Sequence, residues 1–382
     1  MQVRPRPKQT LERDNGFGFL RLLFASLVIV AHTPEIRDGN RSRELLTQVF
    51  HSLSFGELAV DGFFVISGYL ITCSYLQSRS LKDYMIQRVR RIFPGFLAAY
   101  LVCILIVAPL GQIEWVGTLT ERVSVALGAL MLRQPSAGAV FAGTPYPVLN
   151  GATWTIVLEF QCYVLIALLG LSGLMRRRTV MLGLAFAVSL IAVAQHVPPA
   201  GYFYQEFRAF DLFSPIGLLQ AVFDLLVPSS RLVAVYLIGA CFYLYRDHLR
   251  FSRPLTLLAI AGLLAGLYSG RFADIGFALF GGYLILHFAQ AASGTVFARI
   301  NNRNDVSYGV YLYAWPVEKL IMWYWPDLPL LLTGVLTFAA AFALGWISWL
   351  SVERPAMRRT IRGDDKYDLG RVIDRMRRAR AD

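Results

Sequence analysis

Residues 16–33 read GFGFLRLLFASLVIVAHT, an almost wholly apolar run that contains one arginine and one histidine. At 1.5 Å of rise per residue, a helix of this length extends about 27 Å, close to the thickness of the hydrocarbon core of a bilayer. Such a run is typical of a helix that crosses a membrane. We therefore predict that the chain is an integral membrane protein.

Similar runs recur along the whole chain of 382 residues. Hydrophobic residues make up 56% of it, charged residues only 16%, and the mean hydropathy is +0.50, which excludes a soluble protein of this size. Hydropathy, turn residues and flanking charges predict an all-α bundle of about ten transmembrane helices. The predicted spans are 16–33, 54–76, 94–112, 153–171, 179–195, 231–247, 254–269, 272–290, 305–325 and 328–351.

The positions of lysine and arginine predict the orientation. With the N-terminus inside, the predicted cytoplasmic segments contain 27 of the 37 basic residues and the outer segments contain eight. This bias places both termini in the cytoplasm and the protein in the inner membrane. It also explains the net charge of +12 through orientation and anionic lipid, so no nucleic-acid partner is expected. Three regions follow: a cytoplasmic segment 1–15, a membrane domain 16–355 and a basic cytoplasmic tail 356–382.

Two outer segments are candidate walls of an acceptor site. Residues 119–133 are apolar but short, and we predict an outer or re-entrant helix there. Residues 196–230 contain several prolines and predict an outer loop, with a short helix at 213–227. The four cysteines form no CxxC pair, and no metal site is predicted.

Ionisable groups inside a bilayer cost a few kcal/mol each, so each is expected to be paired, to line a wet cavity or to do chemistry. Arg21 and His32 lie eleven residues apart, about three helical turns, which puts both on one helix face some 16 Å apart. Ala25 and Val28 lie between them, so another helix or a long thin ligand could follow this stripe. The intramembrane set is Arg21, His32, Asp61, Glu159, Glu318 and Lys319.

Three titratable groups share the outer third of the predicted membrane: His32, Asp61 and Glu159. A histidine beside a carboxylate forms a general base whose tautomer is held by its acidic partner. The alternative is structural, with His32 as an interfacial residue at a helix end and Asp61 as a cap or a packing residue. Their common depth favours a site.

On the cytoplasmic side, residues 77–93 read QSRSLKDYMIQRVRRIF. Arg88 and Arg91 lie three residues apart on one face of an amphipathic helix, where their guanidinium groups could hold phosphates. In isolation, arginines at this position more often set topology or bind lipid head groups.

Together these residues resemble the membrane-bound acyltransferases of acyltransferase family three, from about residue 16 to residue 355. The matching elements are Arg21-x10-His32, VDGFFVISGYLI (60–71), Arg88-x-x-Arg91 with Ile92 and Pro94, TWTIVLEFQCY (153–163), SYGVYLYAWPV (307–317) and VERP (352–355). One departure is Ala314, where many members have histidine.

The resemblance implies transfer of an acyl group, commonly acetyl, from cytoplasmic acyl-coenzyme A to a hydroxyl of a carbohydrate or other acceptor, with no bound cofactor or metal. His32 is then the general base, through direct attack or an acyl-His intermediate, and Asp61 or Glu159 orients it. Arg88 and Arg91 hold the donor phosphates, and Arg21 helps them or fixes a helix pair. Four aromatic residues are candidates for an acceptor wall, although interfacial belts are their commoner use: Trp154, Tyr308, Tyr311 and Trp315.

Two other functions use the same intramembrane charges. A secondary transporter is one, but no pair of related halves is visible in the sequence. A structural or flippase-like protein of envelope assembly is the other, in which the charges serve helix packing. The resemblance favours the enzyme.

Overall fold

The structure is a computed structural model that describes residues 15–115, 118–136, 138–194 and 230–357. It is all-α, as predicted, apart from one two-stranded antiparallel ladder between β1 (Glu114–Trp115) and β2 (Gly138–Ala139). The helices are α1 (Phe17–Asp38), α2 (Leu45–Phe50), α3 (Phe55–Gln77), α4 (Leu81–Leu110), α5 (Leu119–Leu130), α6 (Trp154–Leu171), α7 (Arg178–Ala194), α8 (Ser230–Leu244), α9 (Arg253–Leu267), α10 (Ala273–Gly276 continued by Gly282–Ala291), α11 (Ser307–Tyr324) and α12 (Leu330–Ser348).

Each predicted span lies on one of these helices. Within the described ranges, five helical segments are long and apolar enough to cross a bilayer, and three more apolar helices are shorter. The chain is therefore a multi-pass membrane protein, while ten crossings and two cytoplasmic termini remain predictions. The five are Phe17–Asp38, Phe55–Gln77, Leu81–Leu110, Gly151–Leu171 and Leu330–Met357; the shorter three are Arg178–Ala194, Ser230–Leu244 and Arg253–Leu267.

A π-helical turn, in which one extra residue is inserted into the helix, occurs within or directly after three of the long helices. These turns are Cys103–Val107 in α4, Phe277–Gly281 in α10 and Trp349–Glu353 after α12. The third one includes the glutamate of the VERP element. Its carboxylate group lies beside Gly95, 3.2 Å from where a Cβ on that glycine would be.

Helix α1 continues beyond its apolar run. The predicted span stops at residue 33, before Pro34, but the helix extends to Asp38 and ends at Gly39, whose φ of 73° closes it in the left-handed conformation. The extra turn places Glu35 directly above His32, which decides the geometry of the site.

The α1 stripe is filled by protein. Ala25 and Val28 are 0% and 1% exposed, because α3 and α11 pack against this face of α1. Of the two alternatives for the stripe, the structure therefore favours helix packing over a ligand lying along it.

Helix α5 lies within the predicted outer segment 119–133. The hydroxyl of Tyr100, in the C-terminal half of α4, donates a 2.7 Å hydrogen bond to the carbonyl of Val125. This bond ties α5 to the C-terminal half of α4. The predicted helix at 213–227 lies outside the described residues, as do nearly all of segments 1–15 and 356–382.

The closest helix contact joins α3 and α8. A Cβ on Gly239 would lie 2.3 Å from the carbonyl oxygen of Val65, and one on Gly68 would lie 2.0 Å from that of Tyr236. Both glycines face backbone, which cannot move aside as a flexible side chain can. Small residues at such contacts are typical of membrane helix pairs.

We expect Gly239→Ala to destabilise the protein by roughly 1–3 kcal/mol, because it separates α3 from α8. The loss of stability is measured by thermal unfolding in detergent. Unfolding is monitored through the reaction of a dye with the buried thiols of Cys103, Cys162 and Cys241. Gly183→Ala is the control, since nothing lies within 4 Å of a Cβ there. Equal unfolding temperatures for both variants would contradict the close contact.

Candidate functional site

A cavity of 610 Å³ lies among α1, α3, α4, α6 and α11. Along α3 it is lined by Val60, Phe63, Ser67 and Ile71, which recur at helical spacing over eleven residues, or about 16 Å. It is therefore long and narrow. The cavity brings together six residues that the sequence predicts for the site: Arg21, Arg88, Arg91, Glu159, Tyr308 and Tyr311.

Two of the predicted donor arginines share one counter-ion. Asp305 Oδ2 lies 2.6 Å from Arg91 Nη2 and 3.3 Å from Arg21 Nη1. Asp305 Oδ1 accepts hydrogen bonds from Ser307 Oγ at 2.5 Å and Asn301 Nδ2 at 3.0 Å. The aspartate is thus fixed, and it holds both guanidinium groups at the cavity wall. Together the three side chains present a net charge of about +1.

Arg88 differs from these two. Its Nη2 donates to Ser74 Oγ at 3.2 Å and to Gln87 Oε1 at 3.3 Å. Its guanidinium lies 5.7 Å from the ring centres of both Tyr84 and Tyr163. Among the residues that the structure describes, no carboxylate forms an ion pair with Arg88, so its charge is available to an anionic ligand.

Glu159 belongs to this cavity and not to the surroundings of His32. Its Oε1 accepts from Tyr163 Oη at 2.5 Å and from Ser67 Oγ at 3.2 Å. The expectation that Glu159 orients the histidine is therefore wrong for this structure. The reason is depth: its partner Ser67 lies twelve residues into α3, near the middle of the helix.

His32 pairs with a carboxylate that is not among the predicted site residues. His32 Nδ1 donates to Glu35 Oε2 at 2.9 Å, and the imidazole ring contacts the Trp315 ring edge to face, with centroids 4.9 Å apart. The side chain of His32 is 12% exposed and that of Glu35 is 3% exposed. The pair is a His–Glu dyad, and Glu35 was not among the predicted intramembrane residues because the predicted span ends at residue 33.

The second oxygen of Glu35 is also occupied. Its Oε1 accepts from Arg41 Nε at 2.9 Å and from Tyr146 Oη at 3.4 Å. Arg41 Nη1 in turn lies 2.8 Å from Glu57 Oε1. Burial alone would lower the pKa of Arg41, but the carboxylates of Glu57 and Glu35 raise it above its usual range. Arg41 therefore stays charged and keeps Glu35 in place.

Asp61 is not a partner of His32 either. It is fully buried, and its Oδ1 accepts from Arg231 Nη1 of α8 at 2.8 Å. Arg231 also contacts Asp274 of α10. Asp61 therefore joins α3 to α8 and α10. The structural alternative, a polar residue in helix packing, fits this position better than the orienting role.

The four predicted acceptor residues do not form one wall. Tyr308 and Tyr311 line the cavity, and the Tyr308 ring lies 5.7 Å from the Arg91 guanidinium. Trp315 is 1% exposed and packs on His32, where Gly151 leaves room for its ring. Trp154 begins α6 and is half-buried outside the cavity lining. Tyr308, Tyr311 and Trp315 follow one face of α11, from the cavity to His32.

The arrangement provides two kinds of chemistry at opposite ends of α1. One end presents guanidinium groups to a long cavity, which suits an anionic ligand with an extended arm. The other end presents an imidazole whose Nδ1–H is held by a carboxylate, which leaves Nε2 as the basic nitrogen of the neutral ring. Within the described residues, no group of three or more His, Cys, Asp or Glu side chains is arranged to hold a metal.

Residues 14–350 match the family described as "Acyltransferase domain". The match covers most of the chain, so the protein belongs to this family and is a membrane-bound acyltransferase, as the sequence motifs indicate. No solved structure matches it.

Three relatives are similar along most of this chain. The "O-acetyl transferase" of Shigella phage Sf6 is 26% identical over 366 residues, which is 92% of this chain and 98% of the relative. "Nodulation protein 10" of Rhizobium leguminosarum bv. viciae is 26% identical over 389 residues, 93% of this chain and 96% of the relative. "Peptidoglycan O-acetyltransferase OatA" of Listeria monocytogenes is 26% identical over 373 residues, 85% of this chain but 56% of that longer protein.

We expect Asp305→Ala to destabilise the protein by roughly 2–4 kcal/mol, because it leaves two partly buried guanidinium groups without their anion. Thermal unfolding in detergent measures the loss. Arg43→Gln is the control: it breaks the pair with Asp38, but the Arg43 side chain is 49% exposed, so little or no change in the unfolding temperature is expected. If both variants unfold alike, Asp305 does not hold the cavity wall.

Proposed function

We propose that the enzyme transfers an acetyl group from cytoplasmic acetyl-coenzyme A to a hydroxyl of a cell-envelope glycan, at the outer face of the inner membrane. The observation that supports this most is the cationic cavity and the His–Glu dyad at opposite ends of α1. The proposal includes ten membrane crossings with both termini in the cytoplasm. The names of the relatives from Shigella phage Sf6 and Listeria support acetyl transfer, and the Listeria name supports a glycan acceptor.

The donor occupies the cavity in this proposal. Its phosphates meet Arg88 at the cytoplasmic end, next to the wall that Arg21 and Arg91 form with Asp305. The pantetheine arm extends along the α3 face of the cavity towards Val60. Polar groups recur along that path and can form hydrogen bonds with the amide groups of the arm. Glu159 is one of the cavity residues, so in this proposal it contacts the donor and not the acceptor.

His32 acts as the general base. Its Nε2 removes the proton of the acceptor hydroxyl while the hydroxyl oxygen attacks the thioester carbonyl carbon. The C–S bond then breaks, the ester forms, and coenzyme A leaves as a thiolate that takes up a proton. Glu35 stabilises the imidazolium that forms and fixes its orientation through Nδ1. Transfer by way of an acyl-His32 intermediate would use the same dyad in two steps.

The acceptor is expected beside Trp315, whose ring adjoins His32. Trp315 is 1% exposed, so it supports the His32 ring from behind and does not stack on a sugar, while the neighbouring Tyr146 hydroxyl adds a polar group. Tyr146 and Trp315 are themselves 5.8 Å apart between ring centroids. Tyr308 and Tyr311 precede Trp315 on α11 and line the cavity, so we assign them to the donor. Trp154 lies outside the cavity lining and has no role in this proposal.

Replacing His32 by Ala is expected to lower kcat by about 10³-fold or more, and Glu35→Gln by about 10²-fold, since the base or its orienting carboxylate is lost. The assay follows label from acetyl-coenzyme A into glycan in membranes of the native host cell. His248→Ala, on an exposed 3₁₀ turn, is the matched control. Transfer by His32→Ala at more than a tenth of the normal rate would exclude His32 as the base.

Arg88→Gln is expected to raise the KM for acetyl-coenzyme A by roughly tenfold or more, because a charge-assisted phosphate contact is lost. A truncated donor, S-acetyl-N-acetylcysteamine, has no phosphate, so its KM should not change in this variant. Lys82→Gln removes the same charge from the exposed first turn of α4 and serves as control.

An equal loss with both donors would mean that Arg88 acts through the fold and not through phosphate. No loss with either donor would assign Arg88 to topology or to lipid head groups.

A further inference from the structure

Three aromatic rings meet near the end of the cavity that faces His32, one turn of α3 from Val60. Phe63 of α3 lies edge to face with Tyr311 of α11, with centroids 6.0 Å apart, and with Phe24 of α1, at 5.7 Å. We call these three residues the aromatic wall. Three different helices contribute to it, so it lies where α1, α3 and α11 converge.

Two of the three rings are fixed. The hydroxyl of Tyr311 donates to the carbonyl of Ala152 at 2.6 Å and is 2.7 Å from Thr155 Oγ1. Phe24 is 4% exposed and packs directly on Gly62, where a Cβ would lie 2.4 Å from its ring. Any larger residue than glycine at position 62 would displace that ring.

Phe63 is different, because it is half-buried and lines the cavity itself. Its ring contacts the rings of Phe24 and Tyr311 edge to face, and its side chain also borders the cavity. Phe63 and Tyr311 are therefore the wall residues that a ligand in the cavity meets, and Tyr311 alone of the two is tied by hydrogen bonds.

The packing of α1 on α3 gives the distance from the wall to His32. The two helices are antiparallel: Phe24 faces Gly62, and Ala31 lies 3.2 Å from a Cβ placed on Gly56. His32 is thus close to the level of the first turn of α3. Its level is separated from the wall by eight residues of α1, counted from Phe24.

The space that remains between cavity and base is short. Val60, the cavity residue nearest the outer end of α3, falls about level with residue 26 or 27 of α1, so His32 lies roughly 8 Å further along the axis. Helical side chains lean towards the N-terminus of their helix, which for His32 is the direction of the cavity. A gap of this length is comparable to a short acyl thioester.

We propose that Phe63 determines the size of the acyl group, by limiting the room beside the aromatic wall to an acetyl-sized substituent. The proposal rests on the proposed function, in which acyl-coenzyme A enters the cavity with its thioester directed at His32. A longer alkyl chain on the thioester would collide with the Phe63 ring, because Phe24 and Tyr311 prevent that ring from moving aside. Removing the ring opens a space of apolar character that longer chains can fill.

The test compares butyryl-coenzyme A with acetyl-coenzyme A. We expect Phe63→Ala to raise the ratio of kcat/KM for butyryl over acetyl transfer by roughly tenfold, the value of burying two more methylene groups. Phe63→Leu should give a smaller rise, because it removes less of the ring. Transfer of the acyl group is measured with radiolabelled donors in native membranes that contain the acceptor. The ratio of dissociation constants for the two donors is a second readout that does not require turnover.

Phe288→Ala is the matched control. It removes an equal ring from a half-buried aromatic cluster with Phe19 and Phe297, away from the cavity lining. Its butyryl to acetyl ratio should stay at the wild-type value. An equal rise in this control, or an unchanged ratio in Phe63→Ala, would overturn the assignment of Phe63.

Failure of the proposed function gives a different result. If the wild-type enzyme uses neither acyl-coenzyme A, the proposed donor is wrong and the assignment of Phe63 falls with it. If the wild type uses acetyl-coenzyme A and only the ratio fails to change, the proposed function stands and the aromatic wall has no part in acyl selection.

Discussion

The fold depends on compensating charge inside a bilayer. A bare ion in hydrocarbon is expensive, and the ion pairs of this protein link helices that are distant in sequence. Asp305 pairs with both Arg21 and Arg91 where α1, α4 and α11 meet. Asp61 and Asp274 neutralise Arg231 where α3, α8 and α10 meet. The same requirement that stabilises the bundle therefore decides which charges remain available for chemistry.

Helices α1 and α11 set the distance between the two chemical groups. Arg21 and His32 are on one helix, and Tyr308 and Trp315 are on the other, so both ends of the site are held by rigid rods. Rigid helices keep the groups in place better than loops, and they keep the anion-binding end apart from the basic end. Close contacts at Gly62 and Gly151 seat the aromatic rings that fill the space between them.

Much of the fold was predictable from the sequence because hydrophobic runs, turn residues and basic flanks are local signals. The all-α membrane class and the helix positions follow from them. The grouping of Arg21, Arg88 and Arg91 was also predictable, since the family motifs place them together. The pairing of His32 with Asp61 or Glu159 was wrong: Asp61 faces Arg231 of α8, and Glu159 lies deeper than His32, beside Ser67.

The sequence by itself determined that this protein lies in a lipid bilayer, where its helices are, and which residue types stand at each end of α1. Only the tertiary structure decided the partners: Glu35 for His32, Asp305 for two of the three arginines, and Arg231 for Asp61. Hydropathy records how deep a residue lies but not the direction in which its side chain points. That direction depends on how each helix rotates and packs against its neighbours, and on whether a helix continues past a proline, as α1 does at Pro34.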